Sequence, residues 1–233
     1  MNFSKESFIN GELILINKPV GWTSFQVVNK IRWLIKSSYD LKKIKVGHAG
    51  TLDPLAQGLL IICTGKLTKK ITEFQNEKKG YCGTFFLGAT TPSFDLETEI
   101  DSKSSIENID SNILEATAKK FLGCINQTPP IYSALKVDGK KLYDYARKGE
   151  QVKLKKREIN IFKFELNSVK LPLIDFEIEC SKGTYIRSIA NDFGKELKVG
   201  AYLHKLIRTS IGEFKLSNAL SIDDFQKKIK KLS

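Results

Sequence analysis

The sequence lacks any long apolar stretch. Its longest wholly apolar run, Leu59 to Cys63, falls far short of the roughly 20 residues that span a bilayer, which excludes a helical membrane span. The N-terminal residues MNFSKESFING show no basic start followed by an apolar segment, so they do not read as a secretory signal. Histidine is scarce, with 2 in 233 residues, and the 4 cysteines (Cys63, Cys82, Cys124, Cys180) form no CxxC pair. A zinc site is therefore disfavoured, and reduced thiols in a cytoplasmic protein are the expected state. The phosphate-loop pattern Gly-x4-Gly-Lys-Ser/Thr is missing too. Arginine is rare: only 5 of the 38 basic residues are Arg, a skew toward lysine that genome base composition can impose as readily as function.

What remains is an ordinary globular composition, 41% hydrophobic and 27% charged, in a chain long enough to bury a core without disulfides or structural metals. No repeat, low-complexity linker or second domain is visible, so a single domain over residues 1–233 is expected. The formal charge is +12, which favours a polyanionic partner because Lys and Arg displace counterions from phosphates. The charge is uneven. Residues 136–157 carry nine positive and three negative side chains with two tyrosines among them, a pattern suited to phosphate neutralisation and base stacking, or equally to a solvated helix and a lysine-guarded edge strand. Residues 93–115 hold seven acidic side chains and one lysine, and are expected to face away from a polyanion.

Periodicity predicts a strand at 12–16, a helix over 24–36 opened by a Thr23/Gln26 capping box, and a short strand near 44–46. A buried strand follows in LLIICTG, then a short helix at 66–75, a strand at 79–88 and an acidic connection over 90–108. Helices are predicted at about 110–121, 141–148, 184–197 and 221–230, with two long strands over 157–181 broken at Pro172 and strand segments in 201–215. Mixed elements without a βαβ repeat indicate an α+β fold.

The loop Gly47-His48-Ala49-Gly50-Thr51-Leu52-Asp53-Pro54-Leu55-Ala56-Gln57-Gly58 is the chemically suggestive segment. Its glycines permit close backbone approach and positive φ, and the proline fixes the direction of the Asp53 carboxylate. Such a carboxylate can serve as nucleophile or base, or can simply close an Asx turn.

Taken whole, GHAGTLDPLAQGLL resembles the catalytic motif of the TruB-type tRNA pseudouridine synthases. The resemblance continues in family order through NKPVGWTS at 17–24, KKGYCGTFFLGATT at 78–91, PPIYSALKVDGKKLYDYARKG at 129–149 and CSKGTYIRSIANDFG at 180–194. It implies a pseudouridine synthase fold with a central, largely antiparallel mixed sheet flanked by helices. It also implies isomerisation of uridine 55 in the T arm of tRNA, a reaction without redox or group transfer and so without a cofactor. Asp53 corresponds to the essential aspartate, and Arg187 to the arginine that partners it and keeps a carboxylate beneath a base ionised. Tyr81 corresponds to the tyrosine that stacks on the uracil, its phenol being a candidate for removing the C5 proton. Tyr185 and Leu206 would line the base pocket. An extended backbone would place Tyr185 on the same side as Arg187. His48 would contact the flipped nucleotide.

By the same resemblance Lys18 and Lys69 lie near the RNA backbone, with Lys66 a further candidate. Residues 124–152 form an RNA-gripping insertion whose Lys136, Lys140, Lys141, Arg147 and Lys148 meet phosphates. Two departures stand out: Ala49 and Gln57 replace threonines common in the family, and the sequence lacks the C-terminal PUA domain of many members. A stand-alone bacterial enzyme is implied, monomeric, with tRNA as its partner and no membrane or obligate protein partner. The competing readings are a tRNA-folding chaperone without catalysis and a pseudouridine synthase acting on another RNA.

Overall fold

The computed structural model describes residues 3–150, 152 and 154–230. The chain divides into two compact units, residues 1–81 with 206–233 and residues 82–205.

The first unit opens with helix α1 (Lys5–Asn10), strand β1 (Leu13–Lys18) and helix α2 (Ser24–Ser38). α2 starts where the predicted capping box places it. The Thr23 hydroxyl accepts from the Gln26 amide at 3.1 Å and the Gln26 side-chain oxygen accepts from the Thr23 amide at 2.7 Å, so two of the orphan donors at the helix start are satisfied. Strand β2 (Val46–Ala49) and strand β3 (Gln57–Thr64) follow, then a 3-10 turn (Gly65–Lys70) running into helix α3 (Ile71–Asn76) where one short helix was expected.

β1 runs antiparallel to β3 with Leu13 opposite Cys63 and Lys18 opposite Gly58. The near-continuous apolar sequence of β3 follows from burial on both of its faces. On one face Ile14, Ile16, Leu60 and Ile62 pack with Val27, Val28, Ile31, Leu34 and Ile35 of α2. On the other, Leu15, Leu59, Ile61 and Cys63 pack with Leu67, Ile71 and Phe74. Burial pushes the Cys63 thiol up to about 11, so this cysteine is an apolar core group and no nucleophile.

Strand β4 (Lys79–Leu87) carries the chain into the second unit. The acidic connection there contains a small hairpin, β5 (Ala89–Thr90) with β6 (Ser102–Lys103), before helix α4 (Ser111–Lys119) and strand β7 (Gly123–Gln127). β7 shows no sequence signal because only Gln127 of its residues is buried. The basic segment folds as a second hairpin, β8 (Lys136–Val137) with β9 (Lys140–Lys141), leading into helix α5 (Leu142–Arg147). Asp138 and Gly139 both have positive φ, at 50° and 79°, as a tight two-residue hairpin turn requires. Long strands β10 (Arg157–Lys170) and β11 (Leu173–Cys180) pair antiparallel on either side of a cis Leu171–Pro172 bond. Helix α6 (Ile186–Glu196) completes the unit's core, which contains an aromatic cluster: Phe85 stacks on Phe176 at 4.1 Å and meets Phe164 and Phe193 at 6.2 and 5.8 Å.

Strand β12 (Ala201–Ile211) returns the chain to the first unit, where Ile207 and Arg208 pair in parallel with Gln57 and Gly58. A short strand β13 (Phe214–Lys215) and helix α7 (Ile222–Lys230) end the described chain. Phe225 and Ile229 of α7 join the α2 core. The strand pairings are antiparallel except for β3 with β12 among those described here, and helices flank them, as the α+β expectation required.

Candidate active site

Loop 50–56 connects β2 to β3, and its carbonyls from Gly50 to Pro54 are held by donors. The Asp53 carbonyl accepts from the Ala56 amide at 3.1 Å and the Pro54 carbonyl from the Gly21 amide at 2.8 Å. Ser24, at the buried first turn of α2, donates to the Leu52 carbonyl at 3.1 Å and accepts from the Leu52 amide at 2.9 Å. The Gly50 and Thr51 carbonyls accept from the Arg208 guanidinium at 3.0 and 3.4 Å. Each carbonyl from Gly50 to Pro54 thus has a donor, and the loop that carries Asp53 is a fixed platform.

Two buried cations flank the end of this loop. Gly58 lies opposite Lys18 on β1 and opposite Arg208 on β12, so a residue without a side chain separates two positive ones. The glycine is required there: its φ is +114°, and a Cβ would come within 2.4 Å of the Arg208 carbonyl oxygen. Arg208 is 1% exposed. Its Nε donates to the Leu59 carbonyl at 2.8 Å; burial pulls its pKa below the usual arginine value, and the Tyr81 phenol, to which it is hydrogen-bonded, and then the Asp53 carboxylate oppose that fall.

Lys18 is a correction to the sequence reading. Expected beside the RNA backbone, it is fully buried, and its ammonium donates to the carbonyls of Trp22, Pro19 and Pro54 at 2.6, 2.9 and 3.3 Å. Burial pulls its pKa down to about 8, with Asp53 opposing that fall and Arg208 adding to it. A side chain so enclosed braces the loop and is not presented to a phosphate.

His48 lies on β2, half-buried, opposite Ile62. Burial, then the Arg208 charge, push its pKa below the ordinary value, and a backbone contact with Gly50 opposes them. The ring is therefore neutral at pH 7, suited to hydrogen bonding or packing and not to neutralising phosphate. Tyr81 and Leu206 are buried, at 8% each, in the same unit. Lys66 and Lys69 are exposed in the 3-10 turn, and Lys66 donates to the Asn10 side chain at 3.1 Å.

The second unit holds the remaining predicted residues. Tyr185 caps the N-terminus of α6 with extended backbone, whereas Arg187 is already in the first helical turn. The expectation that the two share one side of an extended segment is corrected accordingly. Gln127 pins Tyr185 by a reciprocal pair, donating to its carbonyl at 3.0 Å and accepting from its amide at 2.8 Å. The Arg157 guanidinium covers the Tyr185 ring at 4.6 Å. Arg187, itself buried, pairs with Asp95 at 3.5 Å and donates to the Ser93 carbonyl at 3.2 Å. Asp95, within the acidic stretch 93–115, is only 4% exposed and turned into this ion pair.

Lys136, Lys140, Lys141, Arg147 and Lys148 are all exposed on the β8–β9 hairpin and α5. Lys141 and Arg147 approach the Tyr143 ring at 5.3 and 5.1 Å. Lys136 faces Lys141 directly across the hairpin, a like-charge pairing that is unfavourable without a counter-charge.

Sequence reasoning missed Arg208, Ser24, Asp95, Gln127 and Arg157. A signal for the arginines was present: where nearly every basic residue is lysine, each retained Arg marks a place where a planar, multi-donor fork is needed. Arg208, which donates to three carbonyls, fits that pattern, and Arg187 pairs with Asp95 and donates to the Ser93 carbonyl.

Residues 36–186 match the family described as TruB family pseudouridylate synthase (N terminal domain). The protein named tRNA pseudouridine synthase B from Flavobacterium johnsoniae is 52% identical over 225 residues, spanning 96% of this chain and 98% of that relative. The protein of the same name from Phocaeicola vulgatus is 53% identical over 219 residues, spanning 94% of this chain and 93% of that relative. Among solved structures, a chain of a Cbf5-Nop10-Gar1 complex superposes with a TM-score of 0.72 at 26% identity, covering 96% of this chain and 55% of that one. The chain described here belongs to the TruB family of pseudouridylate synthases.

Proposed function

We propose that this protein isomerises uridine to pseudouridine in tRNA, acting at position 55 of the T arm. The observation that carries the reading is the immobilised Asp53 platform, with its carboxylate in the field of Arg208, which also bonds the Tyr81 phenol. The names and near full-length identity of the curated relatives support the same substrate class.

The net chemistry is a rearrangement. The N1–C1′ bond breaks, the uracil turns, C5 bonds to C1′, the C5 proton leaves and N1 gains one. Atoms and electrons balance without an oxidant or a transferred group, so the reaction calls for no cofactor. Asp53 serves by attack on C1′, by attack on C6, or by assisting loss of the base through a glycal; all three need an ionised carboxylate on a rigid support. Tyr81 stacks on the uracil and offers its phenol near C5, while Tyr185 and Leu206 line the base. Arg187 is assigned as the partner of Asp53 from its place in the KGTYIRS motif. The target must leave its stack to be reached, and the neutral His48 ring contacts the extruded nucleotide.

Residues 124–152 grip the T arm. The facing Lys136 and Lys141 and the Tyr143 ring covered by Lys141 and Arg147 provide phosphate neutralisation with stacking surface, and Lys69 adds a backbone contact. The protein acts as a monomer, without an obligate protein partner, where tRNA is met in the cytoplasm. Among the described residues no helix is long and apolar enough to cross a membrane. Incubating an unmodified tRNA transcript with the enzyme and mapping pseudouridine by carbodiimide labelling and primer extension tests the reading. One new stop at position 55 supports it. Stops elsewhere favour action on another RNA site, and none, with tRNA bound, favours a folding chaperone.

A further inference from the structure

We infer that Arg208 is the positioning residue of this site, a single buried side chain that sets Asp53 and Tyr81 relative to one another. The inference rests on the proposed chemistry only for its effect on rate, and on geometry for the rest. All three guanidinium nitrogens are committed to the loop stems: Nη2 to Gly50 and Nη1 to Thr51 on the entering side, Nε to Leu59 on the leaving side. The same group bonds the Tyr81 phenol. Loop entry, loop exit and the aromatic residue are thereby tied to one rigid plane.

The backbone is fitted to this arrangement. Arg208 pairs with Gly58, whose missing side chain lets β12 come this close, and Gly50, at φ +92°, has the Arg208 Nη1 as its nearest outside neighbour at 3.6 Å from an added Cβ. Lysine could supply the charge but not the fork, since one ammonium cannot reach carbonyls on both stems and a phenol at once. An exposed arginine would serve phosphate binding. One that is 1% exposed and satisfied by carbonyls and a phenol acts inward.

The test uses Arg208→Lys, Tyr81→Phe and the double variant of the full chain. Tritium release from tRNA labelled at uridine C5, melting temperature and tRNA affinity are measured together, with amide hydrogen exchange across residues 50–58. In Arg208→Lys, kcat is expected to fall about 100-fold, the scale of an ångström-level misplacement, with KM within about threefold because no substrate contact is lost. Loop amides exchange faster, and the kcat loss is smaller in the Tyr81→Phe background, where the shared hydrogen bond is already gone. Unchanged kcat and unchanged exchange overturn the proposal, as does a kcat loss matched by the unfolded fraction. Fully multiplicative effects overturn the link to Tyr81. If wild type releases no tritium, the functional reading fails, while exchange still decides whether Arg208 holds the loop. If Arg208→Lys does not fold, Tyr81→Phe alone decides: faster exchange at Gly50 and Thr51 supports the tie and unchanged exchange overturns it.

Discussion

At the scale of single residues, the site in the first unit is governed by buried positive charge. Lys18 and Arg208 flank Gly58 and bond to the carbonyls around Asp53, so the loop is held by donors that are themselves costly to bury. The cost has a pH signature. The pKa of Lys18 is about 8 in the folded protein against 10.5 ordinarily. Between those values the unfolded chain binds the proton more readily, so stability attributable to this residue rises with pH across that window and is lowest below it. The melting temperature of wild type minus that of Lys18→Met is expected to increase from pH 7.5 to 10. A flat or falling difference would show that the ammonium is not strained by burial.

At the scale of elements, two contributions separate cleanly. The Thr23/Gln26 box starts α2 next to Ser24, which holds Leu52. Thr23→Ala is expected to cost about 1 kcal/mol, measured by urea unfolding, because it removes an amide's partner while leaving Ser24 in place. On the proposed function, the β8–β9 hairpin instead contributes to RNA affinity. Replacing Lys140 and Lys141 together with alanine should weaken tRNA binding and reduce the slope of log affinity against log salt by about 1.5, given roughly 0.7–0.9 per phosphate contact, with kcat at saturating tRNA little changed. An unaltered slope would remove the hairpin from the interface.

Elements with a strong local signal were legible in sequence for physical reasons. β3 is an apolar run because both its faces are covered, and α2 carries its cap and its apolar stripe within one segment. β7 was not legible, since only Gln127 of its five residues is buried, and that burial serves a contact with Tyr185.

At the scale of the whole molecule, motif order identified the family and pointed to Asp53, while the groups around that loop were hidden by sequence separation. Arg208 acts on a loop some 150 residues earlier, and within YLHKLIRTSI it reads as an ordinary polar position on a strand. Asp95 lies in an acidic stretch whose net charge suggests solvent, and only its pairing with Arg187 shows otherwise. Lys18 carried a motif but not its burial, which depends on the packing of β1, α2 and the loop together. Pattern fixes which residue types recur; the three-dimensional pairing of distant segments fixes which of them face inward.

The central claim is that Asp53 performs the chemistry. Tritium release from tRNA labelled at uridine C5, with wild type and Asp53→Asn compared at equal tRNA occupancy, tests it most directly. The expected result is release by wild type, with the modified position mapping to uridine 55, and none by Asp53→Asn although it still binds tRNA. Equal release by both proteins would contradict the role of Asp53. Tight binding with no release by either would make the protein a tRNA-binding chaperone.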